Sequence, residues 1–118
     1  MDDWRREEAK NQVRFRDFNE WISESNGRMA IHQPLHEYIC ECSDASCRQA
    51  IELSNGEYEE IRSNSNRFAI APNHEDPELD RVLSQHPRFT TIEKLPGEAA
   101  RLAVASDPRR GSTAPWAG

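Results

Sequence analysis

Three cysteines lie within eight residues of one another, at Cys40, Cys42 and Cys47. In an extended strand, residues i and i+2 point to the same side with Cα atoms about 7 Å apart. The thiolates of Cys40 and Cys42 can therefore reach one ion through Zn–S bonds of about 2.3 Å. A turn over residues 43–46 would return Cys47 to the same ion. Structural zinc takes four ligands, and the chain has no fourth cysteine, so we expect a histidine to complete a Zn²⁺ site.

The chain offers four histidines for this position, namely His32, His36, His74 and His86. His36 is about 13 Å from Cys40 along the same predicted strand, which is too far unless the strand bends. His86 lies at a predicted helix end and His32 in an irregular connection, and both remain open. His74 follows a predicted buried strand in a short loop, which suits a ligand that joins two parts of the chain. We therefore predict His74 as the fourth ligand.

The residues around the predicted ligands have expected roles of their own. Glu75 and Asp76 are candidates for orienting the imidazole of His74 by a hydrogen bond. Glu41 lies between two ligands but on the opposite face of the predicted strand, which makes it a poor candidate for a general base. The ion would join His74, in the loop 72–75, to the cysteines on either side of the turn 43–46.

Clustered cysteines also suit other chemistries. A thiol-based redox sensor and a metal-dependent enzyme would both use the same three thiols. A [2Fe–2S] cluster with three cysteines and one histidine is a further alternative. In such proteins the last cysteine stands in a Cys-Asp-Gly segment, whereas Cys47 is followed by Arg48, Gln49 and Ala50. We favour structural zinc, because three cysteines and one histidine fill all four positions and leave none open for catalysis.

The chain resembles an uncharacterised family of small actinobacterial proteins from about Phe15 to Arg109. The matching segments are Phe18-Asn19-Glu20 with Ile22, Cys40-Glu41-Cys42 with Cys47, Ile51-Glu52-Leu53, Glu57-Tyr58-Glu59 with Arg62, Phe68 to Pro72, His74-Glu75, and Asp107-Pro108-Arg109. In similar proteins the histidine segment reads Pro-Gly-His-Glu. Asn73 stands here in place of that glycine, and asparagine tolerates a left-handed conformation. The resemblance implies no activity, but it supports the pairing of His74 with the cysteines.

Local patterns predict the elements that would position this site. Phe15, Phe18 and Ile22 recur at helical spacing and predict the inward face of a helix over residues 3–25. Ser54 and Glu57 have the form of a capping box. Further along we predict strands at 36–42, 48–53, 67–71 and 89–93, and helices after Ser54, over 76–87 and over 96–103. The expected fold is a small single α+β domain over residues 1–106 with a short mixed or antiparallel sheet, stapled by one zinc ion, and residues 107–118 form a disordered tail.

Composition limits the classes of function. The net charge is −6 at pH 7, and no basic stripe offers phosphate contacts, which argues against nucleic-acid binding. No apolar run is long enough for a membrane span. An odd number of cysteines and the lack of a signal-like start favour the cytoplasm, and no nucleophile elbow or phosphate loop indicates an enzyme. We therefore expect a non-catalytic domain that binds a protein partner, with a role in regulation. Trp4 and Trp116 are candidate partner anchors.

Overall fold

The computed structural model describes residues 3–28 and 35–109, with side chains described for 7–25 and 35–109. These residues form three helices and five strands: α1 (Asp3–Arg28), β1 (His36–Ile39), β2 (Ala50–Leu53), α2 (Asn55–Arg62), β3 (Arg67–Ile70), β4 (Asp80–Gln85), β5 (Thr90–Lys94) and α3 (Glu98–Ala105). Among them, no helix is both long enough and apolar enough to cross a membrane.

The strands form two small antiparallel sheets, so the predicted α+β class is confirmed. In the first sheet β1 pairs with β2. In the second sheet β5 lies between β3 and β4. Along the chain, α2 lies between β2 and β3 and begins at the predicted capping box. In this box Glu57 N–H donates to Ser54 Oγ at 3.1 Å and Ser54 N–H donates to Glu57 Oε1 at 2.8 Å. This reciprocal cap holds the start of α2 directly after β2.

Aromatic and aliphatic side chains from both sheets and α2 form one core. Tyr38 of β1 stacks on Tyr58 of α2 with ring centroids 4.5 Å apart. Leu53, Phe68 and Ile92 add fully buried side chains from β2, β3 and β5. Because every contributing strand is only four to five residues long, the packing of side chains between elements stabilises this fold more than the strand ladders do.

The segment with the first two cysteines crosses from one sheet to the other. The predicted strand over 36–42 pairs as a ladder only as far as Ile39. Cys40 N–H still donates to Gln49 O at 2.8 Å, but Glu41 N–H donates to Ala69 O of β3 at 2.9 Å. The chain is thus held by one sheet just before Glu41 and by the other at Glu41, which fixes the backbone that carries Cys40.

The inward face of α1 differs from the prediction. Phe18 is 51% exposed, although the apolar periodicity predicted it to be buried. The buried side is polar instead, with Gln12, Arg16 and Asn19 each fully buried. Arg16 donates to Ala103 O, in the last turn of α3, at 2.9 Å and to Ser65 O, in the turn before β3, at 3.0 Å. The prediction failed because these polar side chains bind backbone groups that are distant in sequence.

The helix predicted over 76–87 is also wrong, since residues 80–85 form strand β4. The chain starts one helical turn, in which Leu79 N–H and Asp80 N–H both donate to Asp76 O, at 3.0 and 2.8 Å. The turn does not continue, because Asp80 pairs with Lys94 at 2.7 Å and both side chains are 1% exposed. This buried ion pair lies at the start of the β4–β5 ladder, a long-range contact that local propensity does not reveal.

The first residues of the predicted tail are packed onto the domain. Asp107 is buried and forms an ion pair with Arg62, whose side chain is fully buried. Arg109 contacts Glu20 of α1 at 2.8 Å and Glu59 of α2 at 2.7 Å. The tail prediction is therefore wrong for Asp107 and Arg109, and residues 110–118, with Trp116, lie outside the described residues. The side chain of Trp4 also lies outside them.

Candidate metal centre

Four side chains from two distant parts of the chain meet beside the junction of the sheets. Cys40 and Cys42 follow β1, Cys47 precedes β2, and His74 lies in the loop between β3 and β4. Their ligand atoms all lie within 4.8 Å of one another. Cys40 and Cys42 are buried, and Cys47 and His74 are half-buried. These residues form a Cys3His cluster that can bind a metal ion.

The spacing of His74 Nδ1 from two of the sulfurs fits tetrahedral coordination of a single ion. With Zn–S bonds of about 2.3 Å and Zn–N bonds of about 2.0 Å, a tetrahedron places sulfurs about 3.8 Å apart and sulfur about 3.5 Å from nitrogen. The Nδ1 atom of His74 is 3.5 Å from Cys40 Sγ and 3.7 Å from Cys47 Sγ. The distances from Nδ1 to the sulfurs on both sides of the turn are therefore those expected of atoms that bind one ion. Nδ1 is the nitrogen that would coordinate it.

A tight turn returns Cys47 to the other cysteines, as the sequence predicts. Asp44 Oδ1 accepts hydrogen bonds from Ser46 N–H at 2.9 Å and from Ser46 Oγ at 2.7 Å. Cys47 N–H donates to Asp44 O at 3.0 Å. Aspartate at the start of such a turn takes up its free N–H groups, so Asp44 sets the position of Cys47 without touching the cluster through its own carboxylate.

Backbone N–H groups face the sulfurs. Cys40 Sγ accepts a hydrogen bond from the N–H of Ala71 at 3.1 Å. The backbone of Asp44 acts to lower the pKa of Cys42, and that of Gln49 acts to lower the pKa of Cys47. Backbone N–H groups favour the charged form of such a group, and thiolates are the form in which cysteine binds metals.

The pKa values of the three cysteine thiols are shifted in different directions. A hydrogen bond with Cys40, followed by one with His74, lowers the pKa of Cys42 to about 5. The same bond with Cys42, together with burial, raises the pKa of Cys40. Burial also raises the pKa of Cys47. A dication among the sulfurs would displace the remaining thiol protons, because metal binding and thiol deprotonation are linked.

The loop before His74 adopts the conformation that the sequence predicted. Asn73 has φ of 70°, in the left-handed region that asparagine tolerates better than most residues. His74 N–H then donates to Ala71 O at 3.1 Å. Because Ala71 N–H also binds Cys40 Sγ, one short stretch of backbone positions the imidazole and contacts a sulfur.

Asp76 has partners other than His74. Its Oδ1 accepts the N–H of Glu78 at 2.9 Å. Burial, followed by the hydrogen bond from Glu8 to Asp76, raises the pKa of Glu8 to about 7. One carboxylate oxygen of Glu75 is buried and has no hydrogen-bond partner. The prediction that Glu75 or Asp76 orients the imidazole thus receives no support from these contacts.

The other histidines lie away from the cluster or outside the described residues. His36 is buried in β1, where it pairs with Leu53 across the ladder. His86 stacks on Phe89 with ring centroids 4.8 Å apart. His32 lies outside the described residues. Of the described histidines, only His74 belongs to the cluster.

Glu41, between two of the cysteines, is fully buried and is bound by residues away from the sulfurs. Its Oε2 accepts hydrogen bonds from Asn19 at 2.9 Å and from the hydroxyl of Tyr58 at 3.0 Å. Its Oε1 accepts the N–H of Ala69 at 2.8 Å. Gln12 also donates to the carbonyl of Glu41, at 3.3 Å. Glu41 therefore ties the cysteine segment to α1, α2 and β3.

Asn19 is a supporting residue that the sequence prediction missed. It donates to Ile39 O at 2.7 Å and accepts Ile39 N–H at 2.9 Å, so it closes the free edge of β1 next to Cys40. The signal in the sequence was a polar stripe on α1, formed by Gln12, Arg16 and Asn19 at spacings of four and three. Such a stripe is normally interpreted as solvent-exposed.

Comparisons with protein-family models, with curated proteins and with solved structures found no similar protein. Function is therefore inferred from the site itself. The structure brings together the four residues that the sequence predicted as ligands, Cys40, Cys42, Cys47 and His74. That they hold an ion, and that the ion is zinc, stays a prediction.

Proposed function

We propose that this chain is a zinc-binding domain in which the metal is structural, and that the domain acts by binding a protein partner. The observation that carries the proposal is the Cys3His cluster, with all ligand atoms within 4.8 Å. Three thiolates and one imidazole form a common donor set of structural zinc sites. The donor spacing also suits one ion better than a [2Fe–2S] cluster, in which the ligands are divided between two irons.

The position of the cluster supports a structural role. Two of the cysteines leave the first sheet, and His74 follows β3 of the second sheet. An ion held by both parts would join sheets that otherwise share few backbone hydrogen bonds. Because such a site does not form in an unfolded chain, the free energy of metal binding would add to the free energy of folding.

The surroundings of the cluster give little support for catalysis. A full set of four protein ligands leaves no position for a reactive water. The carboxylate of Glu41 is bound by Asn19, Tyr58 and the backbone of Ala69, so it is not directed at the ion. Partner binding is instead supported by an aromatic pair exposed on α1, Phe18 and Trp21, since exposed aromatic side chains are enriched at protein interfaces.

The experiment is native mass spectrometry of the purified chain, combined with alkylation of its thiols. We expect one zinc per chain and three thiols that resist alkylation until a chelator is added. His74→Ala should lose zinc and protection, whereas the matched variant His86→Ala should keep both. Bound iron with visible absorbance would contradict the proposal. So would folded wild-type protein without metal, or thiols that react at once in the zinc-loaded chain, as expected of a redox sensor.

A further inference from the structure

A groove runs along the outer flank of α3. It has a volume of about 470 Å³ and is lined by Asn66, Pro96, Gly97, Ala100, Arg101 and Val104. Residues three or four positions apart share one side of a helix, so the helical part of the groove follows a single stripe of α3. The lining is mostly apolar, while the buried Ala99 and Ala103 face the core. We call these six lining residues the α3 groove.

The apolar surface continues around the start of α3. A second groove, of about 410 Å³, shares Pro96 and Gly97 with the α3 groove and adds Leu79 and Leu95. Leu95 is 37% exposed, and Pro96 is exposed beside it. The second groove is also lined by charged side chains, those of Glu78, Glu98 and Arg101. The α3 groove is lined by one charged side chain, so it is the better site for an apolar group.

The chain leaves α3 beside this groove. Arg16 donates to Ser65 O at 3.0 Å and to a carbonyl in the last turn of α3 at 2.9 Å, so the end of α3 lies next to the turn that carries Ser65. Asn66, the next residue in that turn, is one wall of the groove. After α3 ends, Asp107 N–H donates to Val104 O at 3.3 Å, and Val104 lies on the other wall. Residue 107 is therefore held at one end of the α3 groove.

The chain beyond residue 109 is long enough to reach the whole groove. Arg109 is held by carboxylates of α1 and α2, at 2.8 and 2.7 Å. Trp116 is seven residues further along the chain, and seven extended residues span up to about 23 Å. The helical part of the groove, from Gly97 to Val104, is about 10 Å long. Trp116 can therefore reach any part of the α3 groove from the point where the described chain ends.

We propose that Trp116 docks into the α3 groove of its own chain, as a continuation of the packing of Asp107 and Arg109. Residues 110–118 contain one large apolar side chain, that of Trp116. An aromatic side chain offers about 150–250 Å² of surface for burial. Arg101 in the groove offers a cation that favours the face of an indole ring. The proposal revises the sequence prediction of a disordered tail at Trp116.

An intramolecular contact needs less area than a complex of two chains. The linker keeps the ring near the groove at an effective concentration in the mM range. The six residues between Arg109 and Trp116 need only close a loop, and the entropic cost of closure grows slowly with loop length. A single indole ring is therefore sufficient. The inference goes beyond the proposed function and does not rest on it, because no metal ligand lines the groove.

The experiment is acrylamide quenching of tryptophan fluorescence in the purified full chain. Trp4→Phe with Trp21→Phe leaves Trp116 as the one remaining tryptophan of three. We expect blue-shifted emission, and quenching about tenfold slower than in a free peptide of residues 110–118, as for a ring that is undocked about 10% of the time. The rate should not change with protein concentration, because the contact lies within one chain.

A charge placed in the groove tests the site of docking. Ala100→Glu should return the quenching of Trp116 to the rate of the free peptide, because the ring would otherwise bury a carboxylate. The matched control is Ala105→Glu, the same change at an exposed position of α3 outside the groove, which should keep the protection. Both variants should have the circular dichroism spectrum of the parent chain, which shows that they fold.

Thermal unfolding of the chain with its natural Trp4 and Trp21 gives an independent measurement. Trp116→Ser should lower the unfolding temperature, because a contact made only in the folded state stabilises that state. Deletion of residues 110–118 should lower it by a similar amount, and Thr113→Ser should leave it unchanged.

Three results would overturn the docking of Trp116. Quenching at the rate of the free peptide would show that the ring is exposed and that the groove is open to another partner. Protection that survives Ala100→Glu would place the ring elsewhere. Protection that appears only as the protein concentration rises would show that a second copy supplies the ring. None of these results bears on the zinc assignment, which is tested by metal content.

Discussion

Asn19 should contribute more to stability than its position on an apparently amphipathic helix suggests. It is fully buried. It forms hydrogen bonds of 2.7 and 2.9 Å with the backbone of Ile39 and of 2.9 Å with the carboxylate of Glu41. Asn19→Ala removes all three and leaves their partners buried with fewer hydrogen bonds. The perturbation is therefore concentrated on the segment that carries the first two cysteines.

The expected loss follows from the partners involved. Each hydrogen bond to the neutral backbone contributes about 0.5–1.5 kcal/mol, and one to a charged group about 1.5–3 kcal/mol. Burial raises the pKa of Glu41, whereas the hydrogen bonds from its three donors favour the ionised carboxylate. If Glu41 is ionised, these ranges add to a decrease of about 2.5–6 kcal/mol in the free energy of unfolding. That is a large fraction of the 5–15 kcal/mol typical of a domain.

Urea unfolding followed by circular dichroism, at one fixed excess of zinc, measures this loss. Zinc must be held constant because ligand binding to the folded state adds to apparent stability. The matched control is Asn11→Ala on the same helix, where the hydrogen bonds are 3.4 and 3.5 Å long and the expected loss is below about 1 kcal/mol. If Asn19→Ala is no more destabilising than Asn11→Ala, the supporting role assigned to Asn19 is wrong.

Three further variants test separate parts of the structure. His74→Ala should lower zinc affinity and unfolding temperature together, because metal binding is linked to folding. His86→Ala should keep wild-type zinc affinity and have only a mild effect on unfolding temperature; equal losses of zinc affinity in the two variants, measured by zinc titration, would refute the ligand assignment. The pKa of Glu8 is raised to about 7, so the ionised form of Glu8 destabilises the folded state. The wild type should therefore lose stability relative to Glu8→Gln as pH rises from about 5 to about 8. A difference in melting temperature between the two proteins that does not change with pH would contradict this. Asp107→Ala leaves the buried guanidinium of Arg62 with one carboxylate fewer and should cost about 3 kcal/mol in urea unfolding, whereas an unchanged midpoint would show that residue 107 belongs to an uncoupled tail.

The cysteine site could be predicted because its signal is local and its chemistry is specific. Cysteines at i and i+2 on an extended segment point the same way whatever the rest of the fold, and the turn after them needs only the side chain of Asp44. The choice of His74 also depended on a local feature, its place in a short loop after a predicted buried strand, and Asn73 of that loop has φ of 70°. Patterns within a few residues were sufficient for these features.

The polar face of α1 and strand β4 could not be predicted in the same way. Arg16 is buried because it binds Ala103 O, which is 87 residues away. The apolar periodicity of α1 instead indicated that Phe18 is buried. Asp76 and Pro77 do begin a helical turn. Asp80 then forms an ion pair with Lys94, and residues 80–85 pair with β5 as strand β4. Both outcomes are decided by partners that lie far along the chain, where local propensity carries no information.

The most direct test of the central claim is X-ray absorption spectroscopy at the zinc edge on the purified chain. The account predicts one zinc per chain with a shell of three sulfurs at about 2.3 Å and one nitrogen at about 2.0 Å. His74→Ala should lose the nitrogen contribution or the metal, and His86→Ala should leave the spectrum unchanged. A shell without sulfur, a shell of oxygen and nitrogen alone, or folded wild-type protein that takes up no zinc would contradict it.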